Sequence, residues 1–189
     1  KLEAQRRLFE RMVSPAVIEQ LDPNSLQLGG KRTDITALFA DIRGFTSFSE
    51  SQEPVQLVKI LNRYLAAMAE AVLAQEGTID KFMGDAIMAV WGVPIDKGDS
   101  GHHGAEAALA MQNALVGFNS LQVQEGSPQV EMGIGLNTGT VTAGNIGYDQ
   151  RIEYTVLGDT VNTAQRLEAT ASRNQILISV GTWNELKGS

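Results

Sequence analysis

Hydrophobic residues recur every three to four positions in several stretches of the chain, and this spacing predicts amphipathic helices. The clearest case is residues 54–75, where Pro54 suits the first turn and Gly77 suits the stop. Patterns of the same kind predict further helices over residues 2–21, 105–121 and 158–171. The chain is therefore expected to alternate such helices with segments of a different periodicity.

Short runs of apolar and β-branched residues between these helices predict strands. They are residues 34–41, 78–82, 86–91, 130–136, 140–143 and 175–180. Residues 83–85 predict a hairpin turn between the second and third strands, and residues 137–139 predict one between the fourth and fifth. This order predicts an α+β fold with a ferredoxin-like or palm-type βαββαβ core, an antiparallel sheet, helices mainly on one face, and an additional N-terminal helix.

Composition limits the classes of function. The 189 residues suggest one domain, and a hydrophobic fraction of 43% is enough for a globular core. A net charge of −7 opposes nucleic-acid binding, which requires clustered lysine and arginine. The chain lacks cysteine, a long apolar run and an apolar leader, so we expect a cytoplasmic domain that makes no membrane contact of its own. The neighbouring His102 and His103 are expected to be solvated, in a loop or at a helix start.

Two aspartates stand at the ends of predicted strands. Asp41 closes the first strand and Asp85 lies in the hairpin turn, where each alone would also suit a simple turn cap. If the hairpin lies beside the first strand, the two carboxylates converge and could hold Mg²⁺ or Mn²⁺, which prefer oxygen ligands. The loop after Asp41 turns at Gly44 and can direct backbone N–H groups at a phosphate.

Three segments in order resemble the class III adenylyl and guanylyl cyclase catalytic domain of bacterial type. They are residues 38–46 (LFADIRGFT), 81–86 (KFMGDA) and 157–168 (LGDTVNTAQRLE). The resemblance implies a catalytic domain over residues 31–189, preceded by a helix and linker over residues 1–30 from an upstream regulatory region of a larger protein. It also implies conversion of ATP to 3′,5′-cyclic AMP and pyrophosphate, with two Mg²⁺ or Mn²⁺ ions in each active site.

The resemblance further assigns roles to individual positions. Asp41 and Asp85 would bind the metal ions, with the Ile42 carbonyl as a further ligand. The substrate phosphates would lie against the loop formed by Gly44, Phe45 and Thr46. The ions would then activate the ribose 3′-hydroxyl and neutralise the phosphates.

Asn162 and Arg166 are four residues apart and so project from one face of a predicted helix. The resemblance implies that Asn162 orients the ribose and that Arg166 stabilises charge on the α-phosphate. Spacing alone favours a polar helix face with an Arg–Glu pair involving Glu168 or a neighbour, and the intact motif of residues 158–162 reverses this preference.

The resemblance assigns base recognition to Lys81 and Thr155. A lysine can donate to adenine N1 but cannot accept from the N1–H of guanine, so Lys81 favours ATP over GTP. Thr155 departs from the aspartate that is commoner in adenylyl members, and its hydroxyl can either accept or donate. The alternative of a guanylyl cyclase that makes cyclic GMP therefore stays open.

The family builds its active site between two domains arranged head to tail, and this chain carries both sets of groups. A homodimer with two equivalent sites is the expected arrangement. A non-catalytic dimerisation or nucleotide-sensing module is a further alternative, whereas the negative charge opposes a polymerase-type nucleotidyltransferase. Members of the family carry a late lysine that binds the phosphates. Lys187 cannot be matched to it, because the strand expected in this region is missing from the sequence. A truncated C-terminus would explain this difference.

Overall fold

The computed structural model describes residues 3–5, 7, 18, 28–148 and 151–187. Of the helix predicted over residues 2–21, residues 3–5, 7 and 18 are described and are helical, and the rest lies outside the described residues. The strands are β1 (Gly29–Ile42), β2 (Thr78–Met83), β3 (Ala86–Trp91), β4 (Met132–Tyr148), β5 (Arg151–Leu157) and β6 (Gln175–Ile178). The helices of the same described part are α1 (Phe45–Glu50), α2 (Pro54–Ala74), α3 (Ser100–Gln124), α4 (Asp159–Thr170) and α5 (Val180–Leu186).

The strands form one sheet in the order β2-β3-β1-β4-β5, with β6 pairing parallel to β4 and all other pairs antiparallel. The path β1-α2-β2-β3-α3-β4 is the predicted βαββαβ core, which confirms the α+β assignment. The second half of β1, residues 35–42, is mostly apolar on both faces, as a strand that lies inside a sheet and is covered on both sides requires.

The two long helices cover one face of the sheet. Every second residue of β1 from Leu38 to Ile42 packs there against α2 and α3. The helices contribute Ile60, Tyr64, Met68, Val72, Ala107, Ala108, Met111, Leu115 and Phe118 to this core. None of the described helices is both long and apolar enough to cross a bilayer.

The other face of the sheet holds a smaller core. Phe39 of β1 and Met88 of β3 pack there with Val141 and Val156 of the β4–β5 ribbon. Because β5 is the far edge of the sheet along its pairing order, this contact requires the ribbon to curl over the face. Helix α4 covers the rest and contributes Ala164 to the same core.

The prediction of a turn at residues 137–139 is wrong. These residues continue β4, which pairs with β1 in a single register from Met132 to Asn145. The Asn137 side chain donates to the Thr160 carbonyl at 2.9 Å, so it ties β4 to α4 where a turn was expected. The continuous ladder stabilises this polar stretch as strand, an effect that local propensity does not register.

Other boundaries also differ from the prediction. Helix α3 begins at Ser100, five residues earlier than expected, and carries half-buried His102 and His103 at its start. The strand β5 and the short helices α1 and α5 had not been predicted. Their segments are short, and tertiary packing stabilises them.

Glycine at position 135 controls how closely α4 approaches the sheet. A Cβ added to Gly135 would lie 2.5 Å from the Ala164 carbonyl oxygen, and the rigid helix backbone could not yield cheaply. We expect Gly135→Ala to lower the free energy of unfolding by about 1–3 kcal/mol. Gly117→Ala is the matched control: nothing lies within 4 Å there, so the exchange should stabilise α3 by about 0.5–1 kcal/mol. Urea denaturation of both variants tests the pair, and equal effects would contradict it.

Candidate active site

The two candidate metal-binding aspartates meet where β1 and β3 lie side by side. β3 pairs antiparallel with β1, with Ala40 opposite Ile87, so the hairpin lies beside the first strand as predicted. Gly84 has a φ of 62° in the turn, a conformation that glycine adopts without strain. Asp85 follows directly, and its Oδ2 accepts a hydrogen bond of 2.8 Å from the Ile42 amide. Asp85 is thereby fixed at the residue next to Asp41.

The carboxylates of Asp41 and Asp85 influence each other electrostatically. Burial raises the pKa of Asp85 and the charge of Asp41 adds to this shift, while the hydrogen bond from Ile42 opposes it. Asp41 Oδ1 is buried and lies 3.1 Å from Nη1 of Arg43, yet none of the described groups forms a well-directed hydrogen bond to it. This oxygen can accept a further ligand.

Asp41 and Asp85 together offer a small set of oxygen donors. Within the described ranges, no group of three or more histidine, cysteine, aspartate or glutamate side chains could hold a metal ion. Two carboxylates are a sparse set, which suits a magnesium-type ion that keeps positions open for water or phosphate. The residues present therefore fit a partly hydrated magnesium-type ion better than an ion whose ligands all come from the protein.

Arg43 links this site to helix α4. Its guanidinium passes over Gly133, where any side chain would collide with it, and reaches both the backbone carbonyl and the Oε1 of Glu168, the latter at 2.7 Å. Burial raises the pKa of Glu168 to about 7, with the neighbouring Asp41 adding to the shift and Arg43 opposing it. The sequence assigned Arg43 no role and suggested an arginine on α4 as the partner of Glu168, so this buried pair is a finding of the structure.

The loop after Arg43 turns into helix α1. Gly44 precedes the helix with a φ of 70°, and Phe45 packs against the larger core while Thr46 is exposed. The amides of the first helical turn have no intrahelical partner. The predicted phosphate loop therefore offers backbone N–H groups beside Asp41.

Lys81 and Thr155 are brought together although they come from opposite edges of the sheet. The Thr155 hydroxyl donates to Asp80 Oδ2 at 2.9 Å, and the same oxygen is 3.6 Å from the Lys81 ammonium. Lys81 also pairs with Glu153 at 3.0 Å. The sequence gives no sign of this role for Asp80, because regular alternation along a strand would direct its side chain to the face opposite Lys81.

Helix α4 has a buried side and an exposed side. Ala164 and Glu168 are buried against the chain itself, whereas Asn162 and Arg166 are exposed. The two pairs are two residues apart, which is roughly half a turn in an α-helix. Arg166 remains 74% exposed and only approaches Asp159 at 3.9 Å. In this single chain, Asn162 and Arg166 thus face away from the side of α4 that reaches the aspartates.

The fold and this geometry define a palm-type α+β domain with a carboxylate pair at the tip of its central strands. The sequence model described as "Adenylate and Guanylate cyclase catalytic domain" matches residues 30–189. The chain belongs to this family.

Individual relatives agree with this membership. The adenylate cyclase of Anabaena cylindrica is 42% identical over 176 residues, which cover 89% of this chain and 34% of that protein. Adenylate cyclase 1 of Rhizobium meliloti is 40% identical over 137 residues, covering 72% of this chain and 21% of that protein. The chain thus spans about a third or less of the length of these relatives.

Solved structures with the same fold include both kinds of cyclase. The guanylyl cyclase Cya2 superposes with a TM-score of 0.81 at 42% identity, covering 84% of this chain and 80% of that one. The adenylyl cyclase CyaB from P. aeruginosa gives 0.82 at 37% identity, with 85% and 84% covered. The fold is therefore common to solved structures titled guanylyl cyclase and adenylyl cyclase.

The buried Arg43–Glu168 pair yields a stability prediction. We expect Arg43→Leu to lower the free energy of unfolding by about 3–5 kcal/mol at pH 8, because it removes the cation between the Asp41 and Glu168 carboxylates, and Glu168 must then either stay ionised without its partner or take up a proton. Arg173→Leu is the control: its 2.8 Å pair with Glu131 is mostly exposed, so the loss should stay below about 1 kcal/mol. Urea denaturation without added metal measures both, and similar losses would refute the structural role of Arg43.

Proposed function

We propose that this chain is the catalytic domain of a nucleotidyl cyclase that converts ATP to 3′,5′-cyclic AMP and pyrophosphate. The observation that carries the proposal is the hydrogen bond from the Ile42 amide to Asp85, which holds this carboxylate at the residue next to Asp41, within a fold shared with named cyclases. Relatives named adenylate cyclase support the choice of reaction.

Two Mg²⁺ or Mn²⁺ ions are the expected cofactors. Asp41, Asp85 and the Ile42 carbonyl would hold them, since hard cations prefer such oxygen ligands. When bound, these ions would lower the pKa of the ribose 3′-hydroxyl and offset the charge of the phosphates.

The remaining groups of the chain position the substrate. The amides of the loop from Gly44 to Thr46 would donate to phosphate oxygens, and Asn162 would orient the ribose. The 3′-oxygen attacks the α-phosphorus and pyrophosphate leaves, while Arg166 donates to the α-phosphate oxygens, where charge develops. Such positioning and charge stabilisation supply most of the rate in phosphoryl chemistry.

Recognition of the base favours ATP. Lys81 carries only donors, which match the N1 acceptor of adenine and oppose the N1–H of guanine. A buried donor left unpaired costs about 1–3 kcal/mol, so a lysine at this position disfavours GTP. Guanylyl cyclase activity is the second candidate, because Cya2, titled a guanylyl cyclase, is as similar to this chain as the relatives named adenylate cyclase.

The active species is proposed to be a head-to-tail homodimer. Asn162 and Arg166 lie on the exposed side of α4, where they cannot act at the aspartates of the same chain. A second copy in a two-fold arrangement would present these groups to the first copy's aspartates and generate two equivalent sites.

The direct test is an activity assay of the domain with ATP or GTP, in Mg²⁺ or Mn²⁺, with products separated by chromatography. We expect cyclic AMP as the main product, and Asp85→Asn should reduce its rate by more than about 100-fold, beyond the usual effect of residues that only support a metal ligand. Asp96→Asn is the control and should retain activity, because Asp96 is exposed in the loop that follows the opposite end of β3. Faster cyclic GMP formation would identify a guanylyl cyclase, and no cyclic product from either nucleotide would favour a non-catalytic module.

Mixing two inactive variants tests the dimer. Chains with Asp85→Asn and chains with Arg166→Ala should recover about a quarter of the wild-type activity at equal amounts, because half of the dimers are mixed and each has one intact site. A mixture of Asp41→Asn and Asp85→Asn chains should recover nothing, since both changes affect the metal-binding half of a site. Recovery in neither mixture, or in both, would contradict the head-to-tail arrangement.

A further inference from the structure

A β-bulge in β2 directs Asp80 and Lys81 to the same side of the sheet. Ile79 pairs with Ala89, but the next pair joins Lys81 to Met88, so Asp80 is the extra residue. In such a bulge two residues oppose one on the partner strand, which interrupts the alternation of side chains. Adjacent residues that would normally diverge can therefore act on one target.

Asp80 is the most enclosed of these groups. Its side chain is only 4% exposed, compared with 34% for Lys81 and 53% for Glu153. Burial raises the pKa of Asp80, while the hydrogen bond from Thr155 and the charge of Lys81 oppose this shift. The same two neighbours therefore stabilise the ionised form, in which the carboxylate can only accept hydrogen bonds.

The hydrogen bond from Thr155 to Asp80 determines what Thr155 can offer to a ligand. A threonine hydroxyl has one proton, and here that proton is directed at Asp80 Oδ2. Only lone pairs remain, so towards a purine the hydroxyl is an acceptor. Lys81 directs its ammonium at Asp80 and Glu153 and has a third N–H available for donation.

We infer that Asp80 is a positioning residue for base selection, which fixes Thr155 as an acceptor and Lys81 as a donor. An acceptor beside a donor is complementary to the 6-amino group and N1 of adenine, and mismatched to the 6-oxo group and N1–H of guanine or hypoxanthine. The inference rests on the proposed function, in which Lys81 and Thr155 contact the base. It removes the ambiguity of a threonine that could otherwise either accept or donate.

The test compares ATP with ITP, whose base differs from adenine only at the 6-substituent and the N1 proton, and with GTP. We expect Asp80→Leu to lower the ratio of kcat/KM for ATP to that for ITP by about tenfold, the effect of one hydrogen bond that no longer discriminates. Asp80→Asn, which has the same shape and keeps one acceptor oxygen, should give a smaller fall of about threefold. Asp96→Asn again serves as the charge-matched control, with an unchanged ratio.

A double-mutant cycle separates base selection from a purely structural role. In a Thr155→Val background the hydroxyl is absent and Asp80 can act only through Lys81, so Asp80→Asn should change the ATP-to-ITP ratio clearly less than it does in the wild-type protein. Circular dichroism and thermal melting establish that each variant folds, and Asp80→Asn with this cycle suffices if Asp80→Leu does not fold.

The outcomes distinguish this inference from the function on which it rests. A wild-type protein that forms cyclic AMP, together with Asp80 variants that slow both nucleotides equally, overturns the role of Asp80 and leaves the proposed function intact. A wild-type protein that forms no cyclic nucleotide overturns both. A ratio that falls with Asp80→Asn to the same extent with and without Thr155 also overturns the inference.

Discussion

The antiparallel ladder that β1 forms with β4 along its whole length is the interaction on which the rest of the structure depends. Only one register of this ladder is compatible with the two cores. A shift of β1 by one residue would exchange its two faces and move Leu38 and Phe39 into each other's cores. The same register sets Asp41 opposite Gly133. The absence of a side chain at Gly133 leaves the space through which Arg43 reaches α4.

Charge around the candidate groups is organised in two similar clusters, in each of which one cation lies between two carboxylates. Arg43 lies between Asp41 and Glu168, and Lys81 lies between Asp80 and Glu153. Pairing of this kind offsets the several kcal/mol that desolvation of an ion costs and holds the side chains in defined positions. Each cluster nevertheless retains an excess of acceptors. In the first, with Asp85 nearby, that excess suits a divalent cation, and in the second it suits the amino group of a base.

The candidate groups are distributed over separate parts of one chain. The aspartates lie at the tip of the central strands, Lys81 and Thr155 lie where the β4–β5 ribbon curls back, and Asn162 and Arg166 lie on the outer side of α4. The curl of the sheet explains how residues from its opposite edges can cooperate. The orientation of α4 explains why the proposed reaction needs a second copy. In the proposed dimer, a single fold would thus supply complementary halves of a site that two molecules complete.

The sequence alone determined the βαββαβ order and the positions of Asp41 and Asp85 at strand ends, because periodicity and turn chemistry are local properties. It could not establish the continuity of β4, since the pairing with β1 overrides the local turn signal there. The bulge at Asp80 and the Arg43–Glu168 pair also required the tertiary structure. A bulge depends on the register of two strands, and the ion pair joins residues far apart in the chain. Neither feature can therefore be read from the local hydrophobic pattern of the sequence.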